Sequence, residues 1–142
     1  MNVDVPSTWL RCGPFPQFTD LERAFFRALQ DGAGELQSII EAQVSACKVT
    51  DRWNTHVGFY TSLVVDTARA PPVPSYVGRS VVGGGGSAEV EQVEGGLLGF
   101  LLFFEDGYLT CLEGYTFGVS ETPDDLTILR LGQHELSLPS PP

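Results

Sequence analysis

Apolar positions in the first third of the chain recur at helical spacing, and in the rest they crowd into short runs of strand composition. Leu21, Phe25, Ala28 and Leu29 fall on one helical face. Thr19-Asp20-Leu21-Glu22 fits a capping box, in which the Thr hydroxyl takes one orphan amide and the Glu three residues on reaches back. Asp31-Gly32-Ala33-Gly34 breaks or kinks this helix. A second helical pattern, from about Glu35 to Lys48, turns Leu36, Ile39, Ile40, Val44 and Cys47 inward. The pair predicts either an αα-hairpin or one long kinked helix.

After Arg52 the period changes. Val57 to Val65 is rich in β-branched and aromatic residues and reads as a strand. Pro71, Pro72 and Pro74 exclude the next segment from a central strand, because each proline deletes a ladder donor. Gly83 to Gly86 and Ser87 extend a loop over 67–86 with the composition of a flexible linker. Ala88 to Val93 alternates weakly, as a half-exposed strand does. Two stronger runs then flank Glu105-Asp106-Gly107: Leu97 to Phe104, and Tyr108 to Phe117. Asp-Gly is a strong hairpin signal, because a primed turn needs positive φ at both central positions. Thr127 to Leu131 is the last strand, before a flexible tail over 132–142. Residues 1–18, with Pro6, Pro14 and Pro16, form an irregular arm pinned by Trp9 and Phe15.

Two helices followed by four to five mostly sequential strands predict one α+β domain, with the helices packed on a mostly antiparallel sheet. Leu97 to Phe104 is apolar on both faces, which makes it central. One of its faces lies under the helices. The other needs cover from the arm, the 67–86 loop or a partner, and a second copy of the chain is one such partner.

Length and composition agree with a globular domain. The chain has 142 residues and 42% hydrophobic content, enough for a core without disulfides or a structural metal. No apolar run approaches the roughly 18 residues that cross a bilayer. The first residues show neither a basic nor an apolar signal region. Cys12, Cys47 and Cys111 are odd in number and widely spaced, and read as reduced thiols, the last two buried as small hydrophobes. The expected compartment is therefore the cytoplasm.

The net charge of −10 is uneven. Residues 1–84 carry eight acids and seven bases, whereas residues 85–142 carry ten acids and only Arg130. Such a C-terminal half repels nucleic-acid phosphates and attracts a basic protein.

Candidate chemistry is sparse. Gly83-Gly84-Gly85-Gly86-Ser87 lacks the lysine of a phosphate loop. His56 and His134 stand in no metal or triad spacing, so no catalytic residue, metal ligand or cofactor is assigned. Glu113 is the residue of most interest, a carboxylate in an otherwise uncharged run. Regular alternation places it with Leu109, Cys111, Tyr115 and Phe117 on one face. There it is either desolvated for acid–base work or, as glutamates rarely stay buried unpaired, paired with an arginine or turned to water. Glu105, Asp106, Glu121, Asp124 and Asp125 add carboxylates at the hairpin tip and the following loop, without calcium-loop spacing.

Gln43-Val44, Val57-Gly58-Phe59-Tyr60-Thr61, Gly99-Phe100, Asp106-Gly107 and Leu112-Glu113-Gly114-Tyr115-Thr116-Phe117-Gly118 occur in an order that resembles small bacterial proteins, some of which look like immunity partners of polymorphic toxins. The likeness covers roughly residues 43–130. It implies a compact cytosolic domain with a non-enzymatic binding role and supplies no catalytic residues.

The leading expectation is a non-catalytic module that binds another protein, as an acidic inhibitor of a basic toxin or enzyme. Its contacts would be Glu105, Asp106, Glu113, Glu121, Asp124 and Asp125, with Tyr115 or Phe117 as apolar anchor. A small-molecule site or enzyme pocket between sheet and helices, built on Glu113, is the alternative; a structural homodimer is a third.

Overall fold

The computed structural model describes residues 3–5, 18, 20–54, 58–90, 97–116 and 126–131. Among them the chain is α+β: two helices precede most of a single antiparallel sheet. The elements are β1 (Val3–Val5), α1 (Asp20–Asp31), a 3-10 turn at Gly34–Leu36, α2 (Gln37–Ser45), β2 (Cys47–Asn54) and β3 (Gly58–Val65). A second 3-10 turn at Ser75–Val77 leads to β4 (Ser80–Val90), β5 (Leu97–Glu105), β6 (Tyr108–Thr116) and β7 (Leu126–Leu131).

The helices form the two-helix arrangement rather than one kinked rod. Gly34, at φ 57°, takes the positive dihedral that lets the chain reverse between them. From α1, Phe25, Phe26 and Leu29 are each 1% exposed, and the Phe25 ring centroid lies 4.9 Å from that of Phe100 in β5. Burial of each such side chain stabilises the fold by roughly 1.5–3 kcal/mol. Leu36 of the 3-10 turn and Ile40 of α2 enter the same core, and Ile39 and Val44 pack at its margin. The second helix ends at Ser45, short of the expected Lys48, because Cys47 already pairs with Val65 as a strand.

The sheet order is β1-β7-β4-β5-β6-β3-β2, which puts β5 in the centre as its two-sided apolar pattern requires. The strands expected at Val57–Val65, Leu97–Phe104, Tyr108–Phe117 and Thr127–Leu131 are present over their described residues, the one expected at Ala88–Val93 coincides with β4 at Ala88–Val90, and two more join: β2, and β1 within the arm. Seven strands at about 4.8 Å spacing span roughly 29 Å, far wider than one helix. Yet α1 borders β1 and β7 and also reaches Arg52 in β2 and Thr61 in β3. The contacts of α1 therefore extend across the sheet from β2 to β1.

Three irregularities shape it. The stretch expected to be a loop up to Gly86 is strand from Ser80 onward. Its register jumps from Val82↔Leu101 to Ser87↔Gly99, so four glycines stand opposite Phe100 alone. In β2 the register skips Thr50, and in β6 it skips Thr110. The β6 bulge carries Leu109, expected beside Cys111 and Glu113, to the helix-covered face, where it is 2% exposed.

The hairpin turn takes the expected form. Asp106 and Gly107 have φ of 53° and 86°, the paired positive values of a primed turn. A Cβ on Gly107 would lie 2.6 Å from Pro72 Cβ, so the turn needs glycine for space as well as conformation. The turn is docked: the Val73 amide donates to the Gly107 carbonyl at 2.8 Å. Gln43 of α2 completes the joint. Its amide nitrogen donates to the carbonyls of Pro71 (3.0 Å) and Gly107 (2.8 Å), and its oxygen accepts from the Leu109 amide (3.0 Å).

Candidate functional site

Alternation along β3, β5 and β6 assigns each side chain to one of two faces. On the helix-covered face lie Phe59, Thr61, Leu63, Phe100, Leu102 and Leu112, all buried. This face also holds an ionic cluster. Glu22, at 0% exposure, receives two hydrogen bonds from Arg52, at 2.7 and 3.0 Å, and one from the Thr61 hydroxyl at 2.8 Å. Thr61 stands opposite Arg52 across the β2–β3 ladder, and Glu22 reaches both from α1. With guanidinium and hydroxyl both donating to one carboxylate out of contact with water, the cluster holds α1 to the sheet.

On the opposite face, register places three rows of side chains across the strands. Asp51, Ser62, Cys111 and Phe103 make the first; Trp53, Tyr60, Glu113 and Leu101 the second; Gly58, Tyr115 and Gly99 the third. Trp53 is 62% exposed and Val64, one row beyond Ser62, is 48% exposed. Tyr60, Leu101, Phe103, Cys111, Glu113 and Tyr115 are half-buried. The Tyr115 ring covers Gly99, whose Cβ would meet it at 2.6 Å. A large ring thus shields the bare backbone of the central strand.

Glu113 lies on this open face, away from the helices. It is therefore not the base of a pocket between sheet and helices. Its recorded partner is Tyr60, whose phenol donates to the carboxylate. Partial burial, then the charge of Glu113 and that hydrogen bond, push Tyr60 above the ordinary phenol value. Among the described residues no arginine or lysine pairs with Glu113. On that face it is half-buried and shares its row with Tyr60 and Leu101.

Among the described residues the proposed acids do not converge. Glu105 and Asp106 are exposed at the hairpin tip, whereas Glu113 is five residues along β6 from Tyr108, roughly 17 Å away. Tyr115 lies in the row beyond Glu113, so these two are together. Phe117, Glu121, Asp124 and Asp125 lie outside the described residues, as do His56 and His134. A recess of about 390 Å³ opens beside the Thr110 bulge, lined by Arg79, Phe103, Phe104, Glu105, Thr110 and Cys111. Glu113 is not part of it.

The thiols are half-buried rather than fully enclosed. Burial, reinforced by Glu113, pushes Cys111 up to about 11. Burial pushes Cys47 up to about 12, with a smaller contribution from the charge of Glu22. Both are thus protonated and poor nucleophiles near neutral pH. Among the described residues no three His, Cys, Asp or Glu side chains gather as a metal site, and no helix is long and apolar enough to cross a membrane.

The residues that sequence patterning underrated are Trp53 and Val64. Trp53 belongs to β2, which carries two adjacent charges, Asp51 and Arg52, and so hides its alternation. Once Arg52 is known to face inward, Trp53 must face outward. Comparison of the chain with protein-family models, with curated proteins and with solved structures finds no match.

Proposed function

We propose that the protein is a non-catalytic module that binds another protein through the open face of its sheet. The observation that carries this reading is Trp53, a large indole left 62% exposed on a face whose other rings are half-buried. Exposed aromatic residues bordered by polar groups are the usual anchors of protein interfaces, and solvent exposure of such a ring in the free protein is otherwise unrewarded. Asp51 and Glu113 share the face, and the chain carries a net charge of −10, which favours and steers a basic partner. An acidic inhibitor of a basic toxin or enzyme fits this description best. The Cys111 thiol on this face, raised by burial, is protonated near neutral pH, which speaks against nucleophilic chemistry there.

The test is capture from a lysate of the source organism by immobilised protein at low and high salt, run in parallel with Trp53→Ala. A stoichiometric basic protein held by the wild type, released by salt and missed by the variant is the expected result. Equal capture by the variant, or no capture at low salt, removes the reading.

A further inference from the structure

The second row of the open face has a composition that narrows the chemistry of its occupant. Trp53 on β2, Tyr60 on β3 and Glu113 on β6 are direct register partners in sequence across the ladder. At about 4.8 Å per strand the three span roughly 10 Å. Asp51, one row away on the same strand and face as Trp53, adds a second carboxylate. The two acids stand diagonally on either side of the two rings. Tyr60 donates one hydrogen bond to Glu113 and no base pairs with it among the described residues, so most of the acceptor capacity of the carboxylate remains. The arginine of the same strand, Arg52, points through the sheet to Glu22. Lys48 stands opposite Val64, beyond the Asp51 row.

A flat indole, a phenol and a carboxylate in one line offer a cation both π faces and hydrogen-bond acceptors. A guanidinium uses all of these at once: its plane stacks on an aromatic ring and its N–H fork meets a carboxylate. An ammonium is a more strongly hydrated point charge with no plane to stack. We infer that the Trp53–Tyr60–Glu113 row seats an arginine side chain of a basic partner protein. The assignment rests on the protein-binding reading above and specifies what that face recognises.

The experiment is a binding titration, followed by NMR of the Trp53 indole N–H and by fluorescence anisotropy, with a short capped peptide carrying two arginines. The same peptide with citrulline and with lysine gives the comparison. The arginine peptide binds, the citrulline peptide does not, and the lysine peptide binds at least threefold more weakly. Glu113→Gln and Trp53→Ala each weaken the arginine peptide tenfold or more, whereas Tyr60→Phe, which keeps the ring and frees the carboxylate, retains it. Asp106→Asn removes the same charge at the far end of the hairpin and changes affinity less than twofold. Equal losses for Glu113→Gln and Asp106→Asn would reduce the effect to net charge and overturn the assignment, as would an equally tight lysine peptide. If these arms fail while capture of a partner still depends on Trp53, the face stands and only its proposed chemistry falls. If Trp53→Ala leaves capture intact, the face itself is wrong.

Discussion

The two faces of one sheet treat polar residues in opposite ways. Strands β3 and β6 supply Thr61, Leu112 and Gly114 to the helix side and Tyr60, Cys111, Glu113 and Tyr115 to the other. Under the helices the buried polar side chains of the described residues are tied into closed sets, Glu22 with Arg52 and Thr61, and Gln43 with three backbone groups. Burial leaves no choice, since an unsatisfied charge or amide there costs several kcal/mol. On the open face Glu113 meets the Tyr60 phenol and no base among the described residues, and Trp53 stands in water. The lesson is that spare bonding capacity, rather than the presence of charge, separates a face that holds the fold from one that can bind something else.

The largest effect that would break this comparison is at the ionic cluster. Glu22→Ala strands the Arg52 guanidinium at 3% exposure, and should cost about 3–5 kcal/mol in urea unfolding. Glu113→Gln, an equal loss of charge on the open face, should change stability by no more than about 0.5 kcal/mol. Comparable losses at the two sites would show that the open face is structural after all.

A smaller contrast sharpens the same point with two glycines. A Cβ on Gly114 would lie 2.0 Å from the ring of Phe59, itself 1% exposed, so Gly114→Ala should cost about 2 kcal/mol through overpacking. At Gly99 the obstacle is the far end of Tyr115, on the open face, whose ring can swing toward water. Gly99→Ala should therefore cost under about 1 kcal/mol by thermal melting.

A pH-dependent contrast lies on the alkaline side. Cys47, Cys111 and Tyr60 are all raised in the folded protein, so the folded state favours their neutral forms. The unfolded thiols ionise first, from the ordinary value of 9.0, and stability should fall as pH rises above that point. The decline should run until the folded thiols also ionise, at about 11 for Cys111 and about 12 for Cys47. Urea midpoints between pH 8 and 10.5 measure it. Cys47→Ala and Cys111→Ala should each flatten the decline in this window, because both folded thiols stay largely protonated there; an unchanged slope in either variant would show that the fold does not shield that thiol.

Much of this architecture is legible in the linear chain because it depends on neighbours in sequence. The Asp106-Gly107 turn follows from the conformational freedom of two residues, and α1 from the spacing of Phe25 and Leu29. The centrality of β5 follows from an apolar run that leaves no polar face. Strand β2 is not legible, since it starts two residues after α2 ends and carries an adjacent charge pair. Its sense depends on Glu22, 30 residues earlier, which draws Arg52 inward and so turns Trp53 out.

The same physical reason divides the rest. Local patterning determined the α+β class, the helical break at Gly34, the hairpin and an excess of acid in the C-terminal half, since each needs only propensity, periodicity or a sum of charges. Tertiary packing alone decided which side of the sheet Leu109 and Glu113 occupy. A single extra residue at Thr110 reverses the alternation for one side of the bulge, and only the pairing with β5 shows where that residue is absorbed. It also decided the burial of Gln43, whose amide is affordable inside because two distant carbonyls and one amide converge on it once the hairpin tip docks against α2.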